Sequence, residues 1–580
     1  MKRLGIIGLL LFLPLLGAAQ TLLHLPAQKL GDPVLFGSRI VDVSQSWGKV
    51  FAPGQRNAFP RQMHFELAPD GREVLLLPVQ PGEGRRRRGP HRDMHPVHFP
   101  LVETLPDGTL VLDVSEYFSS YPRQVSAIPP RMLEQDPQVE GKVAGVREEA
   151  EYLQVTGVYR YASGLEVKAS CYFLFLPKDP MPTWTADASR VGYNSVEGFG
   201  PEGKQTLSQR WDLRRGPIVF YVDKAFPEAW YPYIKEGVED WNRAFERIGL
   251  GKVISVLPEP DDASFDRNSP LVNMVRYMDV EEANAKGDVL CDPRTGEILQ
   301  GDILWWKNVK DLICGWRYVQ TGAADPQARQ HEYPMEMLGP MIRYSVCHEM
   351  GHVLGLGHNM GASWAYPTAK LRNVVFTQQY GTSASVMDYA RYNHLATAAD
   401  VRKGVSLLPP RLGPYDYYAI ACGYGSQVPP AGEYCYFAPF ISAAISPDPS
   451  AQSETLGNDL VASSAAGIRN CRALLKLDGL DENRLALLRK QYYRYLWLSL
   501  SNLGGSVKGE PVSWKVQKKT LIFVFRGLDE VPPELADAEQ DKRIRQELTG
   551  NFLPRRVEEN GGKKTLDKYY KIINQHQSHL

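Results

Sequence analysis

The residues best placed to do chemistry lie together in Cys347-His348-Glu349-Met350-Gly351-His352-Val353-Leu354-Gly355-Leu356-Gly357-His358-Asn359. On a helix, residues four apart differ by only about 40° in direction, so His348 and His352 present their imidazoles on one face. Glu349 is rotated about 100° from His348, beside a metal held there yet free to handle a water instead of ligating. Gly355 fits the position where a helix ends with positive φ and the chain turns sharply. That turn brings His358 back as a third nitrogen ligand. Three histidines with a fourth position open form the donor set of a catalytic zinc, not of a closed structural one. With 12 His in the chain, a bare His-Glu-x-x-His arises by accident about once in seventy such sequences, and requiring Gly355 and His358 as well lowers this to about one in forty thousand.

Downstream lies Ser385-Val386-Met387-Asp388-Tyr389. Together with the extended histidine motif it resembles the metzincin zinc peptidases, whose Met-turn forms an apolar floor beneath the three histidines. The resemblance implies that Met387 packs there without ligating. It also gives Tyr389 the place where some metzincin branches keep a tyrosine that ligates zinc and swings to the transition state; the alternative for Tyr389 is plain packing of a buried aromatic. Asp388 reads as a hydrogen-bonding residue of the turn. Further stretches, among them Trp230 to Trp241, Asp292 to Glu297, Ala324 to Arg329, Gly381 to Arg391 and Gly413-Pro-Tyr-Asp416, look like a poorly characterised family of large exported bacterial zinc-dependent metalloproteases. That likeness covers residues 210–425 and extends more weakly to either side. Asn359 departs from the Asp that several metzincin groups place after the third histidine, and no cysteine-switch propeptide pattern is present.

The resemblance implies an exported zinc-dependent endopeptidase that hydrolyses peptide bonds with a zinc-activated water and Glu349 as general base, Tyr389 supporting the oxyanion. Its partners are peptide or protein substrates. Two alternatives stand beside it: an exported zinc-containing binding or assembly protein with little turnover, and a zinc amidase acting on non-peptide amides of cell-wall material.

The elements that must position these residues are read from pattern. Residues 21–210 read as β-rich, with strand-like runs at Glu73–Val79, Thr109–Val114, Tyr152–Tyr159 and between Leu165 and Leu176, punctuated by turn signals such as Pro106-Asp107-Gly108. From 216 a strand, Ile218–Val222, precedes a helix with the stripe Trp230, Ile234, Val238, Trp241, Phe245, Ile248, closed by Gly249 and Gly251. A hairpin turning at Asp292–Gly296 returns along Glu297 to Trp305, a candidate edge strand for extended substrate, sheet interior being the alternative. The sum is an α+β fold: a metzincin-like catalytic domain over 211–425, a mixed sheet with an active-site helix, following a β-rich N-terminal domain and preceding a mainly helical region over 426–580. In that last region Glu482 to Leu500 reads as a helix and Thr520 to Phe525 as a short strand.

Lys plus Arg number 66 and so do Asp plus Glu, giving a formal net charge of zero. That balance argues against nucleic-acid binding, which runs on an excess of Lys and Arg. The basic cluster Arg85 to Arg88, followed by His91, His95 and His98, lies between glycines and reads as a solvated loop. Residues 1–20 read as a signal peptide: a basic Met1-Lys2-Arg3, the apolar run Leu4 to Leu16, then Gly17-Ala18-Ala19-Gln20. The expected location is therefore periplasmic or extracellular, with no membrane span in the mature protein. Of seven cysteines, Cys422 and Cys435 are closest in sequence and are the candidate bridge.

Overall fold

A computed structural model describes residues 20–44, 52–57, 60–79, 96–200, 203–409, 411–477 and 480–576. The expected signal peptide and the Arg85–Arg88 cluster lie outside the described residues. The chain divides into two compact units, Met1–Lys178 and Asp179–Leu580. The sequence reading placed the first boundary near 210. Residues 179–210 group instead with the second unit, where Arg210–Trp211 pairs in its sheet.

The described residues of the first unit form one nine-stranded antiparallel sheet. Its strands are β1 (Leu22–Pro26), β2 (Pro33–Val43), β3 (Arg61–Leu67), β4 (Glu73–Pro78), β5 (Val97–Thr104), β6 (Thr109–Asp113), β7 (Gln138–Glu148), β8 (Tyr152–Tyr161) and β9 (Glu166–Phe175), with one short helix, α1 (Pro130–Gln135), before β7. They lie in the order β1-β6-β5-β4-β3-β2-β9-β8-β7. Burial alternates along β1, β3 and β4, as expected of strands with one face on a core. That core holds Phe36, Phe65, Phe99 and Phe173, the rings of Phe36 and Phe173 stacked at 4.7 Å.

The second unit opens with a hairpin of β10 (Ser195–Gly200) and β11 (Gly203–Ser208), then builds a six-stranded sheet. β12 (Arg210–Trp211), β13 (Ile218–Val222), β14 (Ile254–Pro258), β15 (Asn273–Met278) and β17 (Glu297–Trp306) are mutually parallel, and β16 (Ala285–Cys291) is antiparallel to β17. The striped helix forms as two, α2 (Tyr231–Glu239) and α3 (Asn242–Arg247), with Gly249 at φ +83° after them. β17 is buried on nearly every residue and pairs with β16 on one side and with β12 and β15 on the other. It is therefore sheet interior, the alternative the sequence left open, and the edge position beside it falls to β16, which pairs with β17 alone among the described strands.

After α4 (Val309–Thr321) comes the long helix α5 (Met335–Val353), which carries the histidine motif and packs on α2, β16 and β17. Short helices α6 (Val374–Tyr380) and α7 (Ala398–Arg402) lead to α8 (Pro414–Tyr424). The remaining helices α9 (Leu460–Leu474), α10 (Glu482–Ser499), α11 (Trp514–Asp529), α12 (Ala538–Thr549), α13 (Phe552–Gly561) and α14 (Lys563–His576) enclose a core of Leu488, Tyr492, Leu496, Leu521, Phe525 and Ile573, among others. The strand expected at Thr520–Phe525 is thus helix. Its β-branched and aromatic residues favour strands locally, but Gln517, Thr520, Leu521, Val524, Phe525 and Leu528 are the buried positions, which is helical spacing, and tertiary burial decides. The Cys422–Cys435 bridge does not form: all seven cysteines are free, and the Cys435 thiol instead faces the Pro414 carbonyl at 3.5 Å. No helix among the described residues is long and apolar enough to cross a membrane.

Candidate active site

α5 sets the first two histidines. They are one turn apart on a helix fixed from outside by the Trp241 indole, whose N–H donates to the Cys347 carbonyl at 2.9 Å. The helix then stops within two residues. Gly355 adopts φ +94°, and a side chain there would run into the Gln209 backbone, so only glycine permits the turn. The Asn194 N–H donates to the Gly355 carbonyl at 2.7 Å and holds the reversal.

The reversal returns His358 to the helix, its Nε2 3.1 Å from His352 Nε2. His348, His352 and His358 each offer one ligand atom within 4.8 Å of the others. His348 Nδ1 lies 2.6 Å from the Val386 carbonyl and His352 Nδ1 2.8 Å from the Leu356 carbonyl. A carbonyl can only accept, so Nδ1 carries the proton in both and the Nε2 lone pair is left for a metal. Burial lowers all three basicities, His348 well below its ordinary range and His358 to about 3. Neutral imidazoles are what zinc requires, so this donor set fits the ion.

Glu349 is 8 % exposed and its carboxylate reaches β16, where the Gly287 N–H donates to its Oε2 at 2.8 Å. Burial pushes its carboxyl up to about 7, with the Gly287 N–H opposing. A side chain at 287 would strike the Glu349 carbonyl and the His352 Cβ, so Gly287 is what lets the edge strand pass this close to α5.

The Met-turn lies beneath. Asp416, at the start of α8, accepts from Ser385 Oγ (2.5 Å), the Val386 N–H (2.9 Å) and the Gly413 N–H (2.7 Å). It thereby aims the Val386 carbonyl at His348. Asp388 accepts from the Ser363 N–H (2.7 Å) and Ser383 Oγ (2.9 Å), as the sequence reading expected of a turn residue. Met387 is fully buried, its sulfur directly against Gly351 in the middle of the motif. The Asn359 N–H donates to the Met387 carbonyl at 3.0 Å, and its amide group joins the Tyr436 carbonyl and the Ala438 N–H. Asn359 thus ties the third histidine to the turn. The Tyr389 ring sits 4.7 Å from that of His358 and 5.3 Å from that of His348, and burial raises its hydroxyl to about 12.

All six residues singled out by the sequence therefore meet at one place. Three contributors were not foreseen. Gly287 carries no local signal of its role, and Asp416 stood out only inside Gly413-Pro-Tyr-Asp416 without a function. Arg391, two residues beyond Tyr389, looked like the end of a family-like stretch.

Residues 330–578 match the family model described as Met-zincin. The segment takes in α5, the three histidines, Met387, Tyr389 and all the helices after α8, so the likeness reaches further into the helical region than the motifs alone indicated. The metzincin resemblance is borne out, and with it a zinc cofactor held through three histidines and, in general terms, a zinc metallopeptidase. No curated relative and no solved structure matches the chain.

Proposed function

We propose that this protein is an exported zinc-dependent endopeptidase, its export resting on the signal-peptide pattern of residues 1–20. The observation that carries the catalytic reading is Glu349: a buried carboxylate beside the histidine cluster, outside the ligand set, with its carboxyl raised to about 7. A structural zinc site has no use for such a group, whereas a general base works best with a pKa near the working pH. Zinc held by His348, His352 and His358 would supply Lewis acidity, acidifying water and polarising a carbonyl.

The chain's own residues do the rest. Glu349 takes one proton from the attacking water and returns it to the amide nitrogen as the C–N bond breaks. The Gly287 N–H keeps its carboxylate turned to the task. The Tyr389 hydroxyl, still protonated at neutral pH, donates to the oxyanion that develops on the scissile carbonyl. An extended peptide adds alongside β16, the strand that pairs with β17 alone among the described strands. A mass-spectrometric digest of a peptide library, with and without chelator, tests the reading. Chelator-sensitive internal cleavage is expected; intact peptides, or cleavage restricted to cell-wall amides, would reject it.

A further inference from the structure

Tyr389 is held from behind by a segment distant in sequence. Arg391 (φ +52°) and Glu454 (φ +66°) are two of the four non-glycine residues with positive φ among the described residues. Such conformations cost about 1–2 kcal/mol each and persist where the surroundings impose them. Here the two strained residues face each other, Arg391 Nε 3.6 Å from Glu454 Oε1. The Glu454 N–H donates to the Tyr389 carbonyl at 3.1 Å, and the second Glu454 oxygen lies 3.5 Å from Arg494 on α10. The Arg391 guanidinium stacks on Trp316 of α4 and stands 4.9 Å from the centre of the Tyr389 ring. Its side chain is only 12 % exposed and that of Glu454 16 %, so solvent screens this pair far less than a surface one.

We infer that Arg391 is a positioning residue that presses the Tyr389 ring toward the histidine cluster, and that Glu454 and Arg494 anchor it to the helical region. The helices after α8 then belong to the catalytic apparatus rather than to a separate accessory part. This rests on the peptidase reading and on Tyr389 acting at the oxyanion.

The test uses full-length Arg391→Lys, Glu454→Gln, Tyr389→Phe and the two double variants. Arg391→Lys and Glu454→Gln are each expected to lower kcat about tenfold, the scale of a misplaced oxyanion donor, with KM within about twofold and zinc stoichiometric. Affinity for a phosphinic peptide, which mimics the tetrahedral state, should fall by a similar factor. On the Tyr389→Phe background either change should add less than about twofold, because its route of action is gone. A full effect on that background, or a loss confined to KM or zinc content, overturns the proposal. Fluorine NMR of metal-free protein carrying fluorotyrosine gives a second readout, the Tyr389 signal being the one absent from Tyr389→Phe. Glu454→Gln, which does not touch the ring, should move that signal, and an unmoved signal counts against the inference. If the parent cleaves no peptide, the peptidase reading falls, while this spectrum still decides whether the pair positions the ring. Should Arg391→Lys fail to fold, Glu454→Gln carries every arm.

Discussion

In the nine-stranded unit, the described histidines His24, His64 and His98 lie on strands with side chains 28–57 % exposed, each within 4 Å of a glutamate. In the second unit His348, His352, His358 and His394 have burial-lowered basicity, and the ring nitrogens of His348, His352 and His394 meet carbonyls or a hydroxyl. One residue type serves two ends. An exposed pair with glutamate contributes at most about 1 kcal/mol and little specificity. A buried neutral imidazole keeps a directed lone pair, at the cost of a fold that must hold it. The sheets differ in the same sense. The antiparallel sheet shows one face to its core by alternation, while β15 and β17 of the mixed sheet are buried along most of their length, and α5 packs on β16 and β17.

The sharpest way to break the contrast is Glu349→Gln. Zinc and fold should survive while hydrolysis drops about a hundred- to ten-thousandfold, read by turnover of a cleaved peptide beside metal analysis. Next is zinc removal. Chelation or His352→Ala should lower the melting transition of the second unit by several kcal/mol equivalent, on the order of what zinc ligation supplies to small domains, and leave that of the first unit in place. Calorimetry would show both, and a common shift would mean that the metal does not distinguish the units. Asp416→Ala should cost about 2–4 kcal/mol, since it leaves two N–H groups and a serine hydroxyl buried without their acceptor; urea midpoints report it.

A smaller effect concerns pH. Burial lowers His394 from 6.5 to about 4. The unfolded chain therefore takes up the proton first, and stability is full above pH 6.5 and drains as pH falls toward 4, by on the order of 3 kcal/mol at the end of that window. His394→Gln should flatten this slope in urea melts of the second unit at pH 7 and 5. Smallest of all, limited proteolysis should cut near Lys178–Thr183, a mostly exposed stretch without regular structure, and separate two resistant fragments at no cost in zinc.

What the sequence made legible was local. The spacing of His348 and His352, the glycine stop at 355 and the strands β4, β6, β8 and β9 depend on periodicity within a dozen residues. What it hid was pairing. Nothing in Glu297 to Trp306 says that β15 and the short β12 will take up the side opposite β16 and leave the edge role to β16. Nothing in Thr520 to Phe525 says that burial along one helical stripe will favour a helix over its own propensity. The partnership of Arg391 with Glu454 joins segments far apart, and only the fold brings them together.

The contact between Gly351 and the Met387 sulfur makes two positions of this chain answerable to each other. A Cβ at 351 would occupy the place of that sulfur, and the Trp241 ring closes in from another side. The wildcard before the second histidine of the motif is therefore not free to vary here. Across diverging sequences the two sites should change as a pair: a larger residue at 351 is admissible only where a smaller one stands at 387, so a lineage cannot pass through either change alone without losing the floor of its metal site.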